Sequence, residues 1–404
     1  MLDMLVVGGG YVGLAAAVAV KQAAPHLDIE VIEAAPAGVW EKDERASAII
    51  AAASRMLEVF GAWNEIAPEA QPINRMIVTD SRTSDPVRPV FLTFDGEMEE
   101  GRPFAHMVPN VAMVRALRGV AERLGIPIRH GLSATGFRNG STHCTVSLKD
   151  GSTLETRLLV ACDGVRSKLR DMAGIRTVTW NYGQSGIVTT VAHERPHDGV
   201  AEEHFLPSGP FAILPLTGNR SSLVWTERTA EAERLVAADD LIFEEELQRR
   251  FGHKLGELRV VGSKRAFPLG LTLARAFVAP RLALAGDAAH GIHPISGQGL
   301  NLGFKDVAAL AETVVEADRL GLDIGGLNVL ERYQSWRRFD TFRMGVTTDV
   351  LNRLFSNDLT PLRIARDLGL GLVEHMPKLK TFFIDQAAGK TDSEGPKLLA
   401  GQAI

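Results

Sequence analysis

The chain has 404 residues, 45% of them hydrophobic and 23% charged, so it is longer than one typical domain and can bury a large core. Its 44 basic and 49 acidic residues give a net charge of -5 without any basic block, which argues against a nucleic-acid binder. We therefore expect two packed domains and no nucleic-acid partner.

The two cysteines, Cys144 and Cys162, lack metal-ligand spacing. So sparse a pair in a long chain indicates a reducing compartment, ordinary thiols and no metal site. The uncharged stretch 4–20 follows Asp3 rather than basic residues and contains four glycines, unlike a signal peptide. No segment reaches the roughly 20 apolar residues of a spanning helix. We expect a cytoplasmic protein, at most peripheral at the inner face of the membrane.

The first elements follow the order strand, tight turn and helix. Residues 4–7 form an apolar run of the buried-strand type, which stops at three glycines before the alanine-rich segment 14–24. A second strand, 29–32, ends at Glu33. The pattern predicts a βαβ unit.

Residues 111–124 have apolar positions at helical spacing, and two later buried-strand runs break at Asp163-Gly164 and Gly286-Asp287. Short parallel-type strands that end in glycine-containing turns predict one open sheet with its ligand at the carboxyl ends of the strands. The nucleotide-binding domain is thus expected to be discontinuous and to comprise 1–75, 105–178 and 269–345.

A different pattern begins near residue 179. The strands 186–192, 211–216 and 221–226 alternate in polarity, which predicts an antiparallel sheet. We expect a second domain made of 76–104 and 179–268. From Leu330 to the end the chain is expected to be helical, with 346–404 as a C-terminal helical segment and a loose polar tail after Gly389.

The first turn carries the motif Gly8-x-Gly10-x-x-Gly13, and Glu33 follows 20 residues after Gly13. Glycines permit a pyrophosphate to approach the helix N-terminus, and the carboxylate can accept bonds from ribose hydroxyls. The motif predicts a dinucleotide site but does not separate FAD from NAD. A glycine-rich turn without a ligand is the alternative.

Two later segments favour FAD, since a flavin dinucleotide is longer than one βαβ unit can cover. One is 162–167, with Asp163 and Arg166. The other is 286–301, in which Asp287 is placed to accept a ribityl hydroxyl and the amides that open the helix from Leu300 face the flavin ring. The cofactor candidates in this segment are Gly286, Asp287, Pro294, Gly297, Gly299, Leu300 and Asn301.

These three motifs, in this order and spacing, resemble the group A flavoprotein monooxygenases of the para-hydroxybenzoate hydroxylase type. Within that group, 293–303 with Lys305-Asp306-Val307 is similar to the ubiquinone-biosynthesis hydroxylases, and the similarity continues through 43–46, 215–216, 223–225 and 368–389. The implied fold class is α/β, with a discontinuous FAD-binding Rossmann-like domain of the glutathione-reductase type, an antiparallel-sheet substrate domain and C-terminal helices.

The resemblance also implies roles for single residues. Glu33 would bind the adenosine ribose, Arg45 the dinucleotide backbone and Asp287 the ribityl chain, while Asp163 and Arg166 would serve both FAD and a transient pyridine nucleotide. Asn110 and Arg115 would lie near the FAD, although a helix cap followed by a surface arginine is an equally good account of that pair. Cys162 departs from the small residues usual before Asp-Gly.

The reaction implied is hydroxylation of an aromatic ring with NAD(P)H and O2 through a C4a-hydroperoxyflavin, with a polyprenyl-phenol intermediate of ubiquinone biosynthesis as the substrate. No side chain stands out as an acid or base, so the catalytic residues are unknown. His290 and His293 fit packing positions better than catalytic ones. Pro215 and Trp225 are candidates for the substrate cavity, with a place in the core as the alternative.

Other hypotheses remain open at this point. A reductase-like or halogenase-like flavoprotein shares the fold, although the Trp-x-Trp-x-Ile-Pro signature of halogenases is absent. A non-catalytic binder of prenylated partners, or a hydroxylase of soluble phenols or other aromatic metabolites, would share the cofactor motifs. The apolar segment 368–383 carries lysines and would contact either a membrane surface, a partner hydroxylase or the flavin domain itself.

Overall fold

The computed structural model describes residues 1–80, 90–95, 97–99, 102–292, 298–355 and 395–404. Its helices are α1 Tyr11–Ala23, α2 Ala51–Val59, α3 Trp63–Ile66, α4 Asn110–Arg123, α5 Lys168–Met172, α6 Thr229–Ala237, α7 Asp240–Phe251, α8 Gln298–Arg319 and α9 Leu327–Phe355.

The strands are β1 Leu2–Val7, β2 Ile29–Glu33, β3 Ala46–Ile50, β4 Gln71–Ile73, β5 Arg75–Asp80, β6 Val90–Asp95, β7 Glu97–Glu99, β8 Arg102–Pro103, β9 Ala105–Pro109, β10 Ile128–His130, β11 Ala134–Asn139, β12 Cys144–Leu148, β13 Thr153–Ala161, β14 Thr177–His193, β15 Val200–Leu206, β16 Gly209–Leu216, β17 Arg220–Arg228, β18 Leu258–Val260, β19 Arg265–Ala274, β20 Val278–Ala279, β21 Leu282–Leu284 and β22 His290–Gly291.

The first sheet confirms the predicted open parallel arrangement. β10, β2, β1, β13 and β21 pair in parallel in that order, and β12 and β11 extend the first half of β13 as an antiparallel hairpin. β1 is fully buried from Met4 to Val6 because α1 covers it, and the alanines of α1 allow close packing against α4 and α8. The carboxyl ends of β1, β2, β13 and β21 therefore meet along one edge.

The second sheet is built around the long strand β14, in the order β22, β19, β14, β17, β16, β15, β5, β6. Its pairs are antiparallel except for β15 with β5. One face packs against α6 and α7 through Phe211, Trp225 and Phe243. The opposite face carries Val188 and Phe267 and faces Glu44 and Arg45, which directly precede β3.

Helix α9 contacts both sheets. At its beginning the Tyr333 hydroxyl donates to the Leu284 carbonyl of β21, 2.6 Å away. Further along, Trp180 of β14 donates through Nε1 to Asp349 Oδ1 at 2.9 Å. The predicted boundary between 345 and 346 therefore falls inside one continuous helix and is wrong.

The loose tail predicted after Gly389 is also wrong for its described part, 395–404. Leu398 and Leu399 are buried in the first core, and Arg55 Nε donates to the Leu399 carbonyl at 3.0 Å. Burial of these two leucines stabilises the docked tail, although the surrounding residues are polar. Within the described ranges, no helix is both long enough and apolar enough to cross a membrane.

Candidate cofactor site

The turn between β1 and α1 leaves no room for side chains where the chain folds back on itself. Gly8 has a φ of +116°, and a Cβ there would lie 2.2 Å from the carbonyl oxygen of Cys162. A Cβ on Gly13 would lie 1.9 Å from the carbonyl oxygen of Gly8, whereas one on Gly10 would meet no atom within 4 Å. Helix α1 has no side-chain cap and no acidic residue in its first turn. Its first amides can therefore bind an anion.

Glu33 lies at the carboxyl end of β2, directly beside this turn. Its Oε2 accepts a hydrogen bond from the Gly9 amide at 2.7 Å, and its Oε1 accepts one from the Ala35 amide at 2.8 Å. These bonds fix the carboxylate at the edge where the adenosine ribose was predicted.

Arg118, which the sequence analysis missed, lies at the same edge. It donates to His130 Nε2 at 2.9 Å and stacks over Trp40 at 5.5 Å. Burial lowers the pKa of Arg118, and the nearby Glu33 partly opposes this effect. A guanidinium only donates, so His130 Nε2 is the acceptor, and His130 Nδ1 is buried without a partner among the described residues. These side chains had no motif signal because their elements are distant in sequence.

Arg45 belongs to a polar cluster at the start of β3. It forms two bonds to Asp43, from Nε and from Nη2, each of 2.8 Å. Asn110 donates to Asp43 at 3.2 Å and accepts from Ser47 at 2.7 Å. Burial opposes ionisation of Asp43, but the bonds from Arg45 and Asn110 outweigh it and lower the pKa of Asp43. The structure thus brings Arg45 and Asn110 together through Asp43, a residue quoted only as part of the resemblance.

Asp287 ends the turn that follows β21. Its side chain is accessible to solvent, yet the walls of the cleft desolvate it and raise its pKa, an effect that His290 and Arg45 partly offset. Tyr11, the first residue of α1, faces the same cleft, and burial together with the charge of Asp287 raises the pKa of Tyr11 to about 12. The first and third motifs therefore line one cleft.

The second motif folds around Asp163. Its Oδ2 accepts from the Lys168 amide at 2.9 Å at the start of α5, whereas its buried Oδ1 has no partner among the described residues. Arg166 is exposed on the same turn. Arg170, another residue that the sequence analysis missed, is buried and donates to the carbonyls of Val165 and Ala288 at 3.0 and 3.1 Å. It therefore links the second motif to the third.

The third motif rests on a buried carboxylate. Gly286 has a φ of +63°, and its amide donates to Asp306 Oδ2 at 2.9 Å. The same oxygen receives His290 Nε2 at 2.5 Å, and Oδ1 receives Arg337 Nε at 2.8 Å. Burial opposes ionisation of Asp306, but His290 and Arg337 outweigh it and lower its pKa. His290 is thus a buried structural residue, as the sequence indicated.

The remaining third-motif candidates lie at the start of α8. Gly299 and Leu300 are in its first turn, while Asn301 is buried and holds β3, accepting from the Ile50 amide at 3.2 Å and donating to the Ala48 carbonyl at 2.9 Å. Pro294 and Gly297, with His293, lie outside the described residues.

The predicted cavity positions of Trp225 and Pro215 are wrong. Trp225 is 1% exposed, contacts Phe211 and Phe243, and donates to Glu227 Oε1 at 3.0 Å. Pro215 is buried on the same face of the sheet as Phe211, since strand residues two or four apart share a face. That face is covered by α6 and α7 and is turned away from Arg45.

The structure also does not bring Arg115 to the cleft. Arg115 is exposed on α4 and pairs with Glu69, so the alternative of a surface arginine describes it.

A flavin dinucleotide fits the residues present. The open space at Gly10 and the free amides of α1 suit a pyrophosphate, and the unpartnered Asp163 oxygen and the desolvated Asp287 carboxylate are acceptors for hydroxyl groups. Fold and site together define a dinucleotide-binding flavoprotein with an attached antiparallel sheet.

The comparisons with known proteins agree with that class. The family model described as "FAD binding domain" matches residues 1–338. The crystal structure of p-nitrophenol 4-monooxygenase PnpA from Pseudomonas putida superposes with a TM-score of 0.78 over 97% of this chain and 99% of that chain, at 19% identity. At 19% identity this structural similarity shows that the two chains share a fold.

Two curated relatives are more similar in sequence. Ubiquinone hydroxylase UbiL of Rhodospirillum rubrum is 46% identical over 99% of this chain and 92% of its own length. The 3-demethoxyubiquinol 3-hydroxylase of Escherichia coli is 33% identical over 96% of this chain and 98% of its own length. The chain belongs to the ubiquinone-biosynthesis hydroxylases within the FAD-dependent, group A aromatic monooxygenases. FAD is thus its cofactor, and NAD(P)H and O2 are the co-substrates typical of the family.

Proposed function

We propose that this protein hydroxylates the ring of a polyprenyl-phenol intermediate of ubiquinone biosynthesis. The observation that carries the proposal is the 46% identity to a ubiquinone hydroxylase over 99% of the chain. When bound and reduced by NAD(P)H, FAD supplies the activation of O2 and the transfer of one oxygen atom to the ring.

We assign the cofactor contacts to the residues that converge on the cleft. Glu33 accepts bonds from the adenosine ribose, Asp287 from the ribityl chain, and Asp163 from a hydroxyl nearby. Arg45 contributes positive charge along the dinucleotide backbone, and Arg166 is exposed where a visiting pyridine nucleotide can reach it. The support is their convergence along the carboxyl edge of the first sheet, where ligands of such sheets bind.

We place the aromatic ring of the substrate between Arg45 and the second sheet. Arg45 lies over the Phe267 ring at 5.7 Å, and Val188 and Thr190 line the same depression. Glu44 accepts from the Ser263 amide at 3.0 Å and so connects the loop before β3 to the second sheet. We propose accordingly that the first sheet belongs to the FAD domain and the second to the substrate domain.

The direct test is a deletion strain combined with the purified protein. We expect an under-hydroxylated prenyl phenol to accumulate, and the purified protein to convert that compound with NAD(P)H and O2. Bound FAD with normal ubiquinone levels would instead favour the second candidate, a hydroxylase of a soluble aromatic metabolite.

A finer proposal concerns peripheral membrane contact, because a polyprenyl tail partitions into lipid. The segment 368–383, for which such contact was predicted, lies outside the described residues. On α9 four apolar side chains, spaced three or four residues apart, are exposed by 41 to 74%: Phe339, Phe342, Val346 and Val350. Residues at this spacing share one helix face, which we call the apolar stripe of α9. Arg338 and Arg343 flank it and would meet anionic headgroups.

Sedimentation with vesicles that contain anionic lipid tests this contact. Phe339→Ser with Phe342→Ser should reduce the bound fraction several-fold. Leu241→Ser, at a 76% exposed leucine of α7, is the matched control and should leave binding unchanged. Equal binding of all three proteins would contradict a role for the stripe.

A further inference from the structure

A buried ionic cluster lies directly beneath the Gly286-Asp287 turn. It consists of Asp306 and Lys305 on α8, Arg337 and Asp340 on α9, and His290, and the two ends of its central ion pair, Asp306 and Arg337, are 0% and 5% exposed. Burying charges is costly unless they are paired and hydrogen-bonded, so a cluster in this place calls for an explanation.

The hydrogen bonds of Asp306 join it to the Gly286-Asp287 turn, to His290 after the turn and to Arg337 on α9. One carboxylate oxygen accepts from the Gly286 amide and from His290 Nε2, which brackets the turn on both sides of Asp287. The other oxygen accepts from Arg337 Nε. Asp306 therefore fixes the backbone from which the Asp287 side chain projects into the cleft.

Arg337 bonds Asp306 and is itself bonded by a second carboxylate, Asp340. Its Nη1 donates to Asp340 Oδ2 at 2.9 Å, and Lys305 Nζ lies 3.6 Å from the same oxygen. Burial opposes the ionisation of Asp340, but Lys305 and Arg337 lower its pKa to about 2. The charges of the cluster thus alternate, and the negative charge of Asp306 is paired with Arg337.

The packing around the turn leaves little freedom for any other arrangement. A Cβ on Gly286 would lie 3.2 Å from Val12, and one on Gly303 would lie 2.7 Å from Val12 and 3.4 Å from the Gly286 Cα. Helix α1, the turn and helix α8 therefore meet without a gap. A side-chain change in the cluster would therefore shift the backbone of the turn.

We propose that Asp306 and Arg337 are positioning residues for the flavin: Asp306 sets the geometry of the Gly286-Asp287 turn, and Arg337 neutralises the charge of Asp306 beneath that turn. The inference rests on the assignment of Asp287 to the ribityl chain. It extends the cofactor site to two side chains that do not themselves touch the cofactor.

The test uses Asp306→Asn and Arg337→Lys in the full chain, with Asp323→Asn as the control. The control removes an equally close carboxylate–guanidinium pair, Asp323 with Arg281, at the opposite end of β21 from the turn. Each apoprotein is titrated with FAD by fluorescence, and its Tm is measured with and without FAD. The two-electron midpoint potential of the bound flavin is then recorded.

We expect Asp306→Asn to raise the Kd for FAD at least tenfold, because its amide nitrogen would face one of the donors that the carboxylate now serves. Removing a negative charge should also make the midpoint potential less negative. Arg337→Lys keeps the charge but loses the fork that joins two carboxylates, so it should raise the Kd at least threefold without moving the potential. Asp323→Asn should lower the Tm of the apoprotein and leave both flavin readouts unchanged.

The outcomes separate this proposal from the assignment on which it rests. If Asp287→Ala weakens FAD but both cluster variants bind it as the wild type does, the cluster is structural only and the inference is wrong. If Asp287→Ala itself binds FAD normally, the assignment of the ribityl site fails first. Should Asp306→Asn not fold, Arg337→Lys decides, and an unchanged Kd there contradicts the proposal.

Discussion

At the residue scale, Asp287 illustrates how a carboxylate can be exposed and desolvated together. It is reached by solvent from the cleft, but protein atoms on the other sides raise its pKa. Ligand hydroxyl groups would solvate its charge better than the cleft walls do. We expect the ribityl hydroxyl groups proposed to bind there to offset part of this desolvation.

Replacement of Asp287 tests this role. Asp287→Ala removes a hydrogen bond to a charged group, worth about 1.5–3 kcal/mol, so FAD affinity should fall at least tenfold. The flavin absorbance per protein after gel filtration measures the loss. Glu233→Ala, at an exposed carboxylate on α6, is the control. Full flavin content in purified Asp287→Ala would contradict the assignment.

The pH dependence of the apoprotein gives a second prediction for the same residue. A carboxyl whose folded pKa is raised stabilises the fold below its unfolded pKa and loses that contribution as the pH rises through the folded pKa. Asp287→Asn should thus have a higher apoprotein Tm than the wild type at pH 8, and the gap should close as the pH falls toward 4. A lower Tm at pH 8 would contradict the account.

Arg166 is predicted to act in turnover rather than in folding. Because it is exposed on the second motif, Arg166→Ala should keep the wild-type Tm and lower kcat/KM for NAD(P)H about tenfold, which corresponds to about 1.4 kcal/mol. Steady-state NAD(P)H oxidation is the measurement. Arg176→Ala, an exposed arginine before β14, should oxidise NAD(P)H normally. An unchanged kcat/KM for NAD(P)H in Arg166→Ala would contradict a role of Arg166 in turnover.

At the element scale, strand β15 is held by an ion pair that has no part in the cofactor site. Glu202 bonds Lys254 Nζ at 2.6 Å and lies 3.4 Å from His204 Nε2. Burial opposes ionisation of Glu202, but these partners lower its pKa to about 2.

A lowered carboxyl pKa stabilises the fold above the unfolded pKa and loses this contribution as the pH falls through the folded pKa. Glu202→Gln should therefore lower the free energy of unfolding at pH 7 by about 2–3 kcal/mol, a difference that shrinks between pH 4.5 and 2. Urea unfolding at several pH values checks it, with FAD affinity unchanged. A constant difference across that range would point to lost packing instead of lost charge.

The elements that could be predicted are those whose burial pattern is local. The runs at β1 and β21 are apolar because both faces of a parallel sheet are covered, and α1 and α4 show helical spacing. The small strand β10 could not be predicted, since Ile128–His130 has no pattern of its own and pairs only because β2 lies beside it. The helix predicted from Leu330 onward is confirmed by α9, which begins at Leu327.

At the scale of the whole molecule, the glycine turns of the site could be predicted because their geometry tolerates few residue types. Arg118, Arg170 and Arg337 could not, because each acts across elements that only the fold brings together. Trp225 was misplaced for a related reason: strand spacing shows that an aromatic is buried but not which face of the sheet is covered. The cofactor could therefore be predicted from the sequence, whereas the ionic cluster beneath the Gly286-Asp287 turn could not.

Bound FAD should stabilise the molecule as a whole, since its proposed contacts involve all three motifs. At a free FAD concentration 100 times its Kd, the stabilisation is about 2.7 kcal/mol. Thermal unfolding with and without FAD should show the corresponding rise in Tm, reduced in Asp306→Asn. The same Tm in both conditions would indicate that FAD does not bridge the motifs.

The central claim is tested most directly by incubating the purified, FAD-loaded protein with the prenyl phenol that accumulates in its deletion strain, NAD(P)H and ¹⁸O2. We expect one ¹⁸O atom in a new hydroxyl group on the product ring for each NAD(P)H consumed. Oxidation of NAD(P)H with hydrogen peroxide as the only oxygen product, and an unchanged phenol, would contradict it.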